Sequence, residues 1–153
     1  MNSIQSIDHV NLVVEDLDAM ANFYEKLLGL KVSKRVTISG EWIDHIVGLA
    51  GVKADVVYLD LQAGPRVELI RYHSPASPPR SVQPANAFGI RHIAFRVGEI
   101  DPLVERLTAA GVKFFSPVQS VPDSQVSYAG GVRKRLVYFR DPEGNVLEFC
   151  EYK

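Results

Sequence analysis

IDHVNLVVEDLDAMANFYEKLLGLKV, residues 7–32, is echoed by IRHIAFRVGEIDPLVERLTAAGVKF, residues 90–114, and this repetition decides the fold. His9 and His92 stand 83 positions apart (9 to 92), and Glu68 and Glu148 stand 80 apart (68 to 148), so the register survives nearly the whole unit. Self-similarity on this scale marks a duplicated module.

In the first copy Val10, Leu12 and Val14 alternate with His9, Asn11 and Val13, the period of a strand with one apolar face and His9 on the other. From Asp16 onward, Leu17, Met20, Phe23, Tyr24, Leu27 and Leu28 recur at helical spacing, and Gly29 follows where a helix ends in a left-handed turn. The second copy repeats this with Ile93, Phe95 and Val97 opposite His92. Its helix carries Ile100, Leu103, Val104 and Leu107, places Pro102 in the first turn and stops at Gly111.

After each helix the pattern becomes that of strands: residues 31–39, 55–62 and 66–72 in the first half, then 113–117, 134–140 and 145–152 in the second. Ala63-Gly64-Pro65 and Asp141-Pro142-Glu143-Gly144 are turn sequences, and each delivers a strand bearing a glutamate. The expected class is therefore α+β, with two tandem β-α-β-β-β modules. Module one spans about 5–72, a Pro- and Ser-rich linker about 73–89, and module two about 90–153, within a single domain.

With 153 residues, 46% of them apolar and 23% charged, one domain can bury its core without staples. Lys and Arg number 17 against 18 for Asp and Glu, which provides no basic field for nucleic acid. The single cysteine, Cys150, has no internal partner for a disulfide. The start MNSIQSID lacks the basic-then-apolar order of a signal peptide, so a cytoplasmic location without membrane attachment is expected.

A lone histidine or glutamate on a strand usually faces solvent. Here His9, Glu68, His92 and Glu148 occupy equivalent places in two copies, which coincidence explains poorly. Two imidazoles and two carboxylates suit a divalent ion of borderline softness and leave coordination positions for water or substrate. Glu148 adds an energetic clue: Val146 and Cys150 share its strand face, Leu147 and Phe149 fill the other, and a carboxylate so placed requires a cation or hydrogen bonds.

The segments DHVNLVVEDLDAMANFYEKLLGL, RVELI, IRHIAFRV and DPEGNVLEF resemble the vicinal oxygen chelate superfamily, the glyoxalase and bleomycin-resistance family, over nearly the full chain. The resemblance implies an eight-stranded open barrel around one divalent metal ion (Zn, Ni, Co, Mn or Fe), with ligands at His9, Glu68, His92 and Glu148. It further implies a small substrate that chelates the metal through adjacent oxygens, so that an enolate or enediolate is stabilised, with Glu148 and Glu68 as candidate proton acceptors. A homodimer is expected on the same footing.

An acidic residue at position 68 favours a glyoxalase-like or epimerase-like lyase or isomerase. Extradiol dioxygenases of the superfamily, which use Fe(II) or Mn(II), leave that position without a ligand; they form the alternative reading. Antibiotic-binding resistance proteins form a third. Residues 39–56 differ from the glutathione-binding stretch of glyoxalase I, and Trp42 and His45 within them are expected to line a substrate pocket from a loop. Against this stands a reading in which Trp42 and Ile46 plug the core. Tyr128 and, after Gly130-Gly131, Arg133 and Lys134 are further pocket candidates for contact with a carboxylate or phosphate, although a plain glycine turn is the simpler expectation. His73 is expected to be a surface residue without a partner.

Overall fold

The computed structural model describes residues 3–153, so the first two residues of the polar start lie outside it. The chain divides into two compact units, Met1–Arg80 and Ser81–Lys153.

The first unit begins with β1 (His9–Val13) and α1 (Leu17–Asn22), whose last turn widens into a π-helical turn over Phe23–Leu27. Asp16 caps α1 by accepting the N–H of Ala19 at 2.9 Å. Gly29 ends the helix with φ of 80°, a conformation an L side chain resists. There follow β2 (Lys31–Ser39), α2 (Glu41–Val47), β3 (Lys53–Asp60) and β4 (Arg66–Ser74), and the sheet order is β1-β4-β3-β2. β1 runs parallel to β4, and the remaining pairs are antiparallel.

Alternation along β3 and β4 sorts the side chains onto two faces. Val57, Leu59, Val67 and Leu69 are buried on the face met by α1, whose Leu17, Met20 and Ala21 are buried in turn. On the other face Ala54, Val56 and Ile70 pack beneath Ile43 of α2, with Val47, Tyr58 and Tyr72 at the margin.

The second unit repeats the plan with β5 (His92–Arg96), α3 (Ile100–Ala109), β6 (Gln119–Ser120), β7 (Lys134–Arg140) and β8 (Val146–Tyr152), in the order β5-β8-β7-β6. Here too the first strand is parallel to the last and the others are antiparallel. Val137, Phe139, Leu147 and Phe149 are buried on the side of α3, whose Ile100 and Leu107 are buried as well. Both halves are thus four-stranded mixed sheets backed by a helix, the α+β class expected from the repeat.

Three expectations need correction. Residues 113–117 do not form a regular strand: Phe114 makes an isolated bridge to Phe139, and pairing resumes only at Gln119–Ser120. Pro117, which has no N–H to give a ladder, interrupts it. The expected loop around Trp42 and His45 is the helix α2. β4 continues through Ser74, so His73 is a strand residue outside any linker, and its Nε2 lies 2.8 Å from Asp55 Oδ2.

Candidate functional site

β1 and β4 present His9 and Glu68 in a register that pairs His9 with Arg66 and Asn11 with Glu68. β5 and β8 present His92 and Glu148 in the same register, His92 opposite Val146 and Ala94 opposite Glu148. In each unit the His and the Glu therefore sit on adjacent parallel strands, two residues out of step and on the same face.

In the first unit the ring Nδ1 of His9 lies 2.8 Å from Asp8 Oδ2, which leaves Nε2 for another partner. Asn11 Nδ2 donates to Glu68 Oε1 at 2.6 Å. A carboxylate behind the imidazole and an amide behind the carboxylate are the outer contacts that orient metal ligands. Tyr58 faces Glu68 across the antiparallel pair β3–β4; burial, and then the charge and hydrogen bond of Glu68, push its phenol pKa up.

In the second unit Glu148 is only 3% exposed. Its Oε2 lies 3.2 Å from His92 Nε2 and its Oε1 lies 3.0 Å from the ammonium of Lys134. That Oε1 is buried without an aligned hydrogen bond, so Lys134 meets it as an ion pair. Burial opposes the charge on Lys134, but Glu148 outweighs it and the lysine pKa is pushed up. Tyr138 faces Glu148 as Tyr58 faces Glu68, and burial followed by Glu148 pushes its phenol pKa up.

The residues fit a divalent ion on their own chemistry. Each unit offers an imidazole nitrogen and a carboxylate on one sheet face, the first unit with hydrogen-bond partners for both in place. The second holds a buried carboxylate with its two oxygens turned to His92 and Lys134. Among the described residues no three His, Cys, Asp or Glu side chains gather about one point.

The pocket candidates fare unevenly. Trp42 and Ile46 are 55% and 71% exposed, so the plug beneath α2 is Ile43 rather than either of them. Asp44 does structural work, accepting the N–H groups of Gly51 and Val52, both at 2.7 Å. His45 is exposed on α2. A cavity of about 790 Å³ in the first unit is lined by Val13, Val47, Leu49, Arg71, Tyr72 and neighbouring prolines, and neither Trp42 nor His45 reaches it. In the second unit Tyr128 packs edge-on against Tyr152 with ring centroids 5.4 Å apart, and a 3-10 turn over Ala129–Gly131 follows it. Arg133 turns to Asp123 at 3.5 Å.

Sequence reading missed Asn11, Tyr58, Tyr138 and Lys134 as partners of the glutamates. Tyr58 and Tyr138 were detectable, because they are 80 positions apart (58 to 138), the same offset as the glutamates.

No described helix is long and apolar enough to cross a membrane. Comparison with known proteins accords with the geometry. Residues 6–149 match the Glyoxalase/Bleomycin resistance protein/Dioxygenase superfamily. A 2-epi-5-epi-valiolone epimerase from Actinomyces sp. is 28% identical over 94% of this chain and 77% of its own length. Glyoxylase I 4 of Arabidopsis thaliana is 22% identical over 96% of this chain and 71% of its own. The crystal structure of a glyoxalase family protein from Bacillus cereus superposes with a TM-score of 0.81 at 30% identity, covering 99% of this chain and 96% of that one. A duplicated unit carrying one His–Glu pair per sheet, matched in sequence and backbone over almost its whole length, makes this chain a member of the Glyoxalase/Bleomycin resistance protein/Dioxygenase superfamily.

Proposed function

We propose that this protein is a divalent-metal-dependent isomerase or lyase that moves a proton on the carbon beside a carbonyl of a small, oxygen-rich substrate. The ion's ligands are His9, Glu68, His92 and Glu148, and its identity falls within Zn, Ni, Co, Mn and Fe. The observation that carries the reading is the duplicated His–Glu pair, set in identical register in both sheets. The epimerase among the relatives supports the same class, since inverting a stereocentre beside a carbonyl is achieved by removing and returning a proton.

The bound ion supplies Lewis acidity, which lowers the cost of negative charge developing on a substrate oxygen. The chain's own residues divide the remaining work. Glu148 is buried and ion-paired to Lys134, so its charge is already compensated and it serves as the fixed ligand. Glu68 is half-buried, and its partner Asn11 is neutral, so it is the better proton acceptor of the two carboxylates. Tyr58 and Tyr138 steady the two carboxylates from the neighbouring strands.

The test is to strip the protein, reload it with each of the five metals, and follow deuterium incorporation from solvent into a panel of 2-hydroxy and 2-oxo carbonyl compounds. Stoichiometric metal binding with metal-dependent exchange, lost in Glu68→Gln, is the expected result. Absence of stoichiometric binding by any of the metals overturns the reading. Oxygen uptake with catechols under Fe(II) would instead place the protein among the dioxygenases.

A further inference from the structure

Because the two units share one register, each serves as a control for the other. Tyr58, Glu68 and Tyr72 correspond to Tyr138, Glu148 and Tyr152, since β3–β4 and β7–β8 pair them alike: Tyr58 with Glu68 and Tyr138 with Glu148, Ala54 with Tyr72 and Lys134 with Tyr152. The parallel pairs extend the match, with Val13 opposite Ile70 and Arg96 opposite Cys150.

At two of these matched positions an aliphatic residue gives way to a cation: Ala54 becomes Lys134 and Val13 becomes Arg96. Both changes adjoin the same tyrosine. The guanidinium of Arg96 lies 5.1 Å from the centroid of the Tyr152 ring, and the ammonium of Lys134 lies 5.6 Å from it, one cation from each neighbouring strand.

The covering elements differ as well. In the first unit α2, between β2 and β3, seals Ala54 and Ile70 into an apolar core. Between β6 and β7 the second unit has only the short 3-10 turn over Ala129–Gly131, with the Tyr128 ring perpendicular to that of Tyr152. Arg96 stays exposed, and Lys134 keeps 18% of its side-chain surface accessible.

Neutralising the buried Glu148 explains one of these cations. It does not explain Arg96, with which no carboxylate pairs among the described residues. Its guanidinium touches an aromatic face and keeps its N–H donors for a planar oxyanion. The three charged side chains on this part of the face, Glu148, Lys134 and Arg96, sum to one excess positive charge.

We propose that Arg96 and Lys134, on either side of Tyr152, form a recognition subsite for an oxyanion, a carboxylate or a phosphate, carried by the molecule that the neighbouring His92–Glu148 pair handles. The subsite deepens the metal-dependent reading by assigning its substrate an anionic group, yet the binding itself is measurable without activity. It makes Arg96 and Lys134 specificity residues, and of the two cations that follow the glycine turn it assigns the anion contact to Lys134, while Arg133 faces Asp123.

The test uses backbone amide NMR on metal-free and Zn-loaded protein titrated separately with inorganic phosphate, pyruvate and uncharged methyl pyruvate. Saturable shifts at Arg96, Cys150, Lys134 and Tyr152 are expected with the anions and not with the ester. The stronger of phosphate and pyruvate identifies the group. Arg96→Met is expected to weaken anion binding at least tenfold. Lys134→Met should do the same, and Lys134→Arg should restore it. Since Lys134→Met strands a buried carboxylate, Arg96→Met keeps the test decisive if that variant fails to fold. Equal binding of ester and anion, shifts centred elsewhere, unchanged affinity in Arg96→Met, or no saturable anion binding in either form each overturns the proposal. Metal stoichiometry measured on the same samples reports separately on the metal reading.

Discussion

Asn11 donates its side-chain amide to Glu68 at 2.6 Å across the parallel pair β1–β4, and the matching position in the second unit is Ala94, which has nothing to donate. The two glutamates are therefore held by different means: the first by a neutral amide, the second by the charge of Lys134. An orienting contact of this kind contributes about 10- to 100-fold to metal affinity. Asn11→Ala is expected to weaken metal binding by that factor, read by titration against a competing chelator. An unchanged affinity would show that Glu68 needs no orientation from Asn11.

Metal binding should also appear as stability. A ligand at about 100 times its dissociation constant stabilises the folded state by about 2.7 kcal/mol. Thermal melts of the wild-type chain are expected to shift upward on adding the cognate ion, with a smaller shift in His92→Ala and Glu148→Gln. A shift of equal size in those variants would remove the second pair from the ligand set.

Glu151 ties the other face of β8 to α3. It accepts the N–H of Ile100 at 2.9 Å and stands 3.2 Å from both Arg135 Nη1 and Lys153 Nζ. The Ile100 hydrogen bond foremost, then Lys153 and Arg135, hold its carboxyl below the ordinary value of 4.5, while its burial works the other way. For a depressed acid the stabilisation is present above the unfolded value and is lost as pH falls through the lower, folded one. Glu151→Gln should accordingly be less stable than wild type at neutral pH, and the gap should narrow below about pH 4.5, as followed by urea midpoints across pH. A gap independent of pH would show that the Glu151 charge contributes nothing.

The α2 plug offers a test of what closes the first sheet. Ile43 is 6% exposed beneath the helix, and Ile→Ala in such a place costs about 2–5 kcal/mol. Asp44, accepting two backbone N–H groups, contributes about 1–3 kcal/mol through charged hydrogen bonds. Ile43→Ala and Asp44→Ala are both expected to lower the denaturation midpoint, whereas Trp42→Ala, at an exposed site, should leave it nearly unchanged. A large loss in Trp42→Ala would restore the reading that made Trp42 the plug.

The repeat, the α+β class, the extents of β2 and β7 and the four His and Glu positions were all legible in the chain, since hydrophobic alternation, helical spacing and turn residues are local signals. What surrounds those four residues was not. That Lys134 rather than Arg133 meets Glu148 follows from strand alternation combined with a register that pairs Lys134 with Tyr152 and Tyr138 with Glu148. One residue of slip would send Lys134 to the opposite face. The pairing of His73 with Asp55 and the burial of Ile43 in place of Trp42 depend likewise on contacts between segments distant in sequence. The sequence by itself determined that His9, Glu68, His92 and Glu148 recur as pairs at equivalent places in the two copies. The tertiary structure alone decided their partners, because a side chain's neighbours across a sheet are set by register, and register belongs to two strands at once.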